Sequence, residues 1–250
     1  MRILVNISYD GLFFIGSQKQ PEGRTIQGEF EKILSNLFKE DIKVIICSRL
    51  DSKVSARNFV FVFDTENKSN ISLEKIRRYL QDSFNTEVLI KKVMEVPSSF
   101  HPRHDVKYKI YSYKIQNTTF FDPLISSHLL VVFQHLNLKR IKQGIKLFEG
   151  LHDFSLFSSD SQEKNTKLII NKTWVKKTKD FIYLKFKGKS FLKYQIRFLV
   201  GALLLYSQEK ITKENIVHAL DGIQDSNYIK RKVDANGLTL EKIVFEGIKL

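Results

Sequence analysis

The order of apolar patterns in the first hundred residues is the feature that most constrains this chain's fold. Alternating or β-branched apolar runs predict strands at residues 2–9, 42–47, 57–63 and 87–95. Helical spacing of apolar residues predicts helices over residues 26–38 and from Asn70 or Ser72 to Phe84. The order strand, helix, strand, strand, helix, strand is that of the ferredoxin-like split βαβ fold, in which helices cover one sheet face and the other stays open.

A second α+β unit is predicted after a boundary at residues 97–102. Strand patterns follow at residues 106–116, 167–176, 181–187 and 238–248, and helical patterns at 137–148, 191–206 and 213–220. We therefore predict an α+β protein with two ferredoxin-like, RRM-like halves, antiparallel sheets and a central cleft. The predicted domains are residues 1–103 and 104–250.

The charge balance favours a polyanionic partner. Lys and Arg total 41 against 27 Asp and Glu, for a formal net charge of +14. A composition rich in Lys, Ile and Asn should raise Glu as well, so compositional bias alone does not explain the excess of one sign. We expect nucleic acid rather than an anionic membrane, because no helical pattern is strongly amphipathic and basic.

Several features of the sequence favour the cytoplasm. No apolar run is long enough to span a bilayer. The chain enters a strand pattern at Arg2, so we expect no secretion signal. Cys47 is the only cysteine, which excludes an intramolecular disulfide and a cysteine metal cluster.

Residues 47–56 form a polar stretch between two apolar strand patterns, so they predict a loop held by a rigid scaffold. The loop places Asp51 two residues after Arg49. Such a pair is usually part of a solvated turn, so its spacing alone does not identify a site.

Two predicted strands combine lysines with tyrosines on one face, because strand side chains alternate between faces. These sets are Lys107, Lys109, Tyr111 and Tyr113 in one strand, and Tyr183, Lys185 and Lys187 in the other. Interleaved cations and rings suit RNA, with phosphates on lysines and bases on rings. An exposed sheet face that tyrosines merely cover is the alternative.

His101 and His104 are the histidines that could suggest a metal site. They lie near a proline, and no third ligand follows at a typical spacing. We therefore expect no metal.

Seven segments, in order, resemble motifs of the TruA family of tRNA pseudouridine synthases over nearly the whole chain. They are residues 9–20 (YDG…GWQ-x-Q), 25–31 (first helix), 48–56 (GRTDAGVHA), 100–113 (FHAR…YRY), 150–154 (GxHDF), 191–201 (F-x-x-x-x-VR-x-x-VG) and 237–240 (GLxL). The resemblance implies isomerisation of uridine to pseudouridine in RNA by a homodimer, with no cofactor and no catalytic metal. The family acts on the anticodon arm of tRNA.

The resemblance also implies residue roles. The first domain would carry the catalytic loop and the second would complete the active site. Asp51 would be the nucleophile, Arg197 its basic partner, and Tyr111 the ring that stacks on the target base and can move its proton. Arg49 would hold the space that the flipped base vacates, at a flipping cost of roughly a few kcal/mol. Further expected RNA or substrate contacts are Lys53, Lys107, Lys109, Leu238 and Leu240.

The central motif departs from the family pattern. The changed positions are Ser48, Leu50, Ser52, Lys53 and Ser55, and Ser17 replaces the tryptophan of the GWQ segment. Glycine supports backbone conformations that lysine adopts at a cost, so Lys53 predicts a reshaped loop or a phosphate contact. Because of these departures, three other functions remain as alternatives. The protein could modify ribosomal RNA, bind RNA without catalysis, or act as a basic ribosome-assembly factor.

Overall fold

The computed structural model describes residues 1–66, 71–159, 165–223 and 230–250. The chain divides into two compact units. The first comprises Met1–Lys107 and Thr239–Leu250, and the second comprises Tyr108–Leu238. Both contain helices and mostly antiparallel strands, which confirms the predicted α+β class.

The helices and strands are numbered along the described part of the chain. The strands are β1 Arg2–Tyr9, β2 Val44–Ile46, β3 Ser55–Asp64, β4 Val88–Val96, β5 Val106–Asn117, β6 Leu130–Val132, β7 Gly150–Asp153, β8 Lys167–Lys177, β9 Ile182–Gly188 and β10 Leu238–Phe245. The α-helices are α1 Ile26–Phe38, α2 Leu73–Asp82, α3 Pro123–Ser126, α4 Leu138–Gly144, α5 Gln195–Ser207 and α6 Lys213–Leu220.

In the first unit, strand β1 lies between β3 and β4, antiparallel to both. The other edge of β3 pairs with β2 near its end and with β10, in parallel, at its start. Helix α1 buries Ile26, Phe30, Leu34 and Phe38. The Phe30 and Phe61 ring centroids are 4.5 Å apart, so α1 packs directly on β3.

The helix starts in this unit follow capping chemistry. The Thr25 hydroxyl accepts a hydrogen bond from the Gly28 amide at 3.2 Å, and Ser72 accepts one from the Lys75 amide at 3.3 Å. Side-chain caps satisfy amides that a helix start leaves unpaired. Ser72 is therefore the N-cap of α2, whereas the alternative, Asn70, lies outside the described residues.

In the second unit, the strands follow the order β5, β9, β8, β7 and are antiparallel, with β6 parallel to β5. Helix α5 is buried on nearly all sides, as its continuous apolar sequence predicts. The predicted helix start at Phe191 is wrong, because Tyr194 has a left-handed backbone with φ 62° and α5 begins at Gln195.

Other boundaries also differ from the sequence patterns. Strand β10 ends at Phe245 rather than Ile248, and Gly247 follows with φ 73°. The short elements α3, β6 and β7 were not predicted. No helix among the described residues has the length and apolar character required to cross a bilayer.

Candidate active site

Residues 47–54 connect β2 to β3 as a loop, which confirms the predicted connection. The Cys47 amide donates to the Val60 carbonyl at 2.9 Å, and the Val54 amide donates to the Asp51 carbonyl at 3.2 Å. Asp51 is half-buried and forms an isolated antiparallel bridge with Gly16. The loop that carries this carboxylate is therefore tied to β3 at its start and to Gly16 at its middle, and its last residue bonds back to Asp51.

The segment that follows β1 packs directly against this loop. A Cβ atom added to Gly11 would lie 2.3 Å from the Val54 carbonyl carbon, well inside the van der Waals contact distance. The Gly11 amide also donates to the Ser55 hydroxyl at 3.0 Å. This glycine is required by backbone contact, which gives a structural reason for the Tyr9-Asp10-Gly11 motif.

Ser17 is a site residue that sequence reasoning did not identify. Its hydroxyl accepts a hydrogen bond from the Leu50 amide at 2.7 Å and donates to the Ser48 carbonyl at 3.1 Å. Its own amide donates to the Leu50 carbonyl at 3.0 Å. Ser17 is fully buried, so these bonds are shielded from water. The residue that departs from the family's tryptophan thus fixes the backbone on the N-terminal side of Asp51.

We expect Ser17→Ala to loosen this loop. The change leaves the buried Leu50 amide without its hydroxyl partner, which should lower the free energy of unfolding by about 2 kcal/mol. Amide hydrogen exchange of residues 47–52 should become faster. Ser35→Ala is a matched control, because the Ser35 hydroxyl accepts from the Ile42 amide at 2.9 Å outside this loop. Equal exchange at residues 47–52 in wild type and Ser17→Ala would contradict the assignment.

Lys53 retains a backbone conformation that favours glycine. Its φ is 68°, in the left-handed region, and its side chain is exposed. The lysine therefore adopts, at a cost, a conformation that glycine supports, and the reshaping of the loop stays a prediction. Its exposed ammonium leaves the predicted phosphate contact open.

We expect Lys53→Gly to stabilise the protein. Relief of left-handed strain gains about 1–2 kcal/mol, and the greater freedom of glycine in the unfolded chain offsets about half of it. Urea denaturation should show a net gain of about 0.5–1 kcal/mol. Lys189→Gly, at an exposed loop residue, should lower stability instead; a loss in both variants would show that Lys53 carries no strain.

The first unit brings four predicted site residues into one region. Arg49, Asp51 and Lys53 share the loop, and Arg49 is exposed. Leu240 is fully buried and pairs in parallel with Ala56, at the end of the loop. Lys107 is exposed on β5.

In the second unit, Tyr111 and Arg197 each contact an aromatic residue of the segment 191–194, which leads into helix α5. The Tyr111 ring meets Phe191 edge-on with centroids 5.2 Å apart. The Arg197 guanidinium lies 4.9 Å from the Tyr194 ring centroid, and its Nε donates to the Val233 carbonyl at 2.8 Å. Arg197 is thus held by a stacking contact and a hydrogen bond, not extended freely into solvent. Leu238 is buried.

The predicted open face on β5 is wrong. Tyr111, Tyr113 and Lys109 are buried. The Tyr113 hydroxyl donates to the Asp234 carbonyl at 2.7 Å, and burial raises the pKa of this phenol. Lys109 therefore does not fit a lysine that meets phosphate on an open face, and Tyr113 does not belong to an open platform for bases.

On β9 the predicted alternation is confirmed. Tyr183, Lys185 and Lys187 are half-buried, whereas Leu184 and Phe186 on the opposite face are buried. Between Tyr108 and Gln116, the partly accessible residues of β5 are even-numbered, the opposite of the prediction, and they include Tyr108 and Lys114. The register between β5 and β9 decides whether the odd-numbered or the even-numbered residues of β5 lie on the covered face, and the sequence does not show this register.

His101 and His104 lie together, with ring centroids 4.1 Å apart. Burial is the largest cause that lowers the pKa of His101. Within the described ranges, no group of three His, Cys, Asp or Glu side chains is placed to hold a metal ion.

Comparison with known proteins gives full-length similarity. A family model described as tRNA pseudouridine synthase matches residues 145–246. The tRNA pseudouridine synthase A of Thermotoga neapolitana is 31% identical over 245 residues, covering 98% of this chain and 99% of the relative. The tRNA pseudouridine synthase A 2 of Bacillus cereus is 32% identical over 243 residues, and tRNA pseudouridine synthase A of Aquifex aeolicus is 31% identical over 241. These two alignments each cover 96% of this chain and 98% of the relative.

These similarities define the class of the protein as an isomerase, a pseudouridine synthase. The chain belongs to the TruA family of tRNA pseudouridine synthases. The predicted family is confirmed.

Proposed function

We propose that this chain converts uridine to pseudouridine in tRNA, with Asp51 as the nucleophile. The observation that carries the proposal is the position of Asp51: a half-buried carboxylate in a loop fixed by Ser17 and Gly11, within the segment that resembles the family's catalytic motif. A nucleophile held by a rigid scaffold reacts without first being ordered.

The reaction is an isomerisation, so every atom of the base is retained. Attack by the Asp51 carboxylate on the target nucleotide forms a transient covalent bond, and the base is released from the ribose. The base turns and rejoins the ribose through carbon, and the bond to the carboxylate breaks, so that Asp51 is regenerated. The carbon–nitrogen glycosidic bond breaks, a carbon–carbon bond forms, and a proton moves from that carbon to the freed nitrogen. Nothing is oxidised or reduced, so no cofactor is part of the proposal.

The remaining residue roles follow the resemblance, residue by residue. We propose Arg197 as the residue that the resemblance assigns as the basic partner of the catalytic aspartate. The stacking and hydrogen-bond contacts that hold Arg197 support a fixed position for this charge. Tyr111 would stack on the target base and move its proton.

The other proposed contacts concern the RNA around the target. Arg49 would hold the space vacated by the flipped nucleotide, and Leu238 with Leu240 would form an apolar wall for the base. Exposure of Arg49, Lys53 and Lys107 supports contacts with phosphate.

The substrate region and the assembly are also proposed. We propose the anticodon arm of tRNA as the target and the cytoplasm as the location of the protein. For the fold, we propose two ferredoxin-like halves. We also propose that the protein works as a homodimer. Exposed apolar side chains in the second unit support a contact with a second copy, since large exposed apolar patches mark interfaces. They are Phe120, Phe121, Leu124, Ile125 and Phe133.

Mapping of pseudouridine distinguishes tRNA from ribosomal RNA as the substrate. Purified protein is incubated with total RNA from a strain that lacks its gene, and pseudouridine is mapped chemically along all RNAs. We expect new sites in tRNA anticodon arms with wild type and none with Asp51→Asn. New sites confined to ribosomal RNA would overturn the substrate, and tight RNA binding by both proteins without any new site would indicate a non-catalytic RNA-binding protein.

A further inference from the structure

One face of the second unit's sheet concentrates lysines that the proposed catalytic roles do not use. We call it the lysine face and define it by Lys114 on β5, Lys185 and Lys187 on β9, and Lys172 and Lys176 on β8. The strand register places these side chains on one side, because Lys187 pairs with Lys172, and Tyr183 pairs with both Lys114 and Lys176. Lys172 and Lys176 are exposed, and the other three lysines are half-buried.

The opposite side of these strands is the covered side. Phe186 pairs with Tyr111 on one neighbour and Thr173 on the other, and all three are buried. In β9, residues therefore alternate between a packed face and the lysine face. Aromatic residues accompany the lysines: Trp174 pairs with Lys185, and the Lys187 ammonium lies 4.0 Å from the Tyr108 ring centroid.

This arrangement costs stability in the free protein. Lys172 and Lys187 are directly opposite each other, and like charges at such positions repel. The cross-strand rows that carry the five lysines, all within described residues, contain no Asp or Glu to offset that repulsion. A polyanionic partner would remove it, and the net charge of +14 favours such a partner.

We infer that the lysine face is an RNA-binding surface that contacts the phosphate backbone of the substrate away from the target nucleotide. Lysines would meet phosphates, and Trp174 and Tyr183 would stack on unpaired bases. A second copy of the chain is a poorer occupant, because two such faces would repel each other. The inference rests on the proposed function only in taking the bound RNA to be the substrate.

The test measures the salt dependence of RNA binding. Tryptophan fluorescence is followed during titration with unmodified tRNA at several salt concentrations, since Trp174 is the single tryptophan of the chain. The variant is Lys172→Gln/Lys185→Gln/Lys187→Gln. The control is Lys32→Gln/Lys75→Gln/Lys213→Gln, which removes the same three charges from exposed helical positions. Binding is measured without turnover, so this test is separate from that of the proposed function.

We expect RNA to change the Trp174 fluorescence. The slope of log affinity against log salt should become shallower by about one unit per lysine that meets a phosphate, hence by about two to three in the variant. The control should stay within about one unit of wild type. An unchanged slope in the variant, or an equal change in the control, would overturn the inference. A fluorescence change that depends on protein concentration alone, with the slope unchanged, would show instead that the face joins two copies.

Discussion

Asp51→Asn should abolish turnover and leave RNA binding within about twofold of wild type. Loss of a nucleophile typically costs about 10⁴-fold or more in kcat, and the amide preserves the shape of the carboxylate. The backbone bonds of the loop run through Ser17, Gly11 and Val54, so they do not depend on this side chain's charge. Single-turnover formation of pseudouridine in tRNA, with RNA affinity measured in parallel, checks this expectation.

Asp41→Asn is the matched control. Asp41 undergoes the same chemical change in the same unit, and its exposed carboxylate pairs with Lys43 at 2.9 Å. Exposed pairs of this kind contribute about 0–1 kcal/mol, so kcat should stay near wild type. Full activity in Asp51→Asn would exclude this residue as the nucleophile, whatever the behaviour of the control.

Gly201→Ala should lower both stability and kcat. A Cβ atom at Gly201 would lie 1.9 Å from the Arg231 carbonyl oxygen, so helix α5 and the segment at Arg231 must separate. Overpacking of this kind costs about 1–3 kcal/mol, of which the better helix propensity of alanine recovers about 1. The same segment contains Val233, whose carbonyl accepts from Arg197 Nε. Displacement should therefore also move Arg197, and kcat should fall at temperatures where the variant stays folded.

Ala202→Gly separates these two effects. It lowers helix propensity at the next position of α5 by about 1 kcal/mol and adds no atom that could meet Arg231. We expect it to lose stability in urea denaturation while kcat is retained. If Gly201→Ala loses stability but keeps its kcat, then anchoring of Arg197 on Val233 does not matter for the reaction.

The sequence predicts the features of this fold that depend on local pattern. The helix over Ile26–Phe38 follows from apolar spacing and from the cap at Thr25, both of which are local in sequence. The loop at Asp51 follows from its position between two apolar strands. The start of α5 could not be predicted in this way, because an apolar run does not reveal that Tyr194 adopts φ 62°.

Features that depend on tertiary contact were missed for a physical reason. Ser17 holds Leu50 across a separation of 33 residues, and nothing near Ser17 in sequence signals that partner. Which residues of β5 lie on the covered face depends on the register between β5 and β9, which is a long-range property. The sequence pattern therefore predicted Tyr113 on an open face, whereas it is buried. The left-handed conformation of Lys53 could not be predicted from local pattern, because its cost for lysine argues against it.

The most direct test of the central claim uses one purified protein and one RNA. Wild-type protein at a concentration above that of an unmodified tRNA transcript is followed for pseudouridine by mass spectrometry after nuclease digestion. We expect one or a few specific uridines in the anticodon arm to be converted to completion without any added cofactor. If the tRNA is bound but no pseudouridine forms, the claim that this member of the family has pseudouridine synthase activity is contradicted.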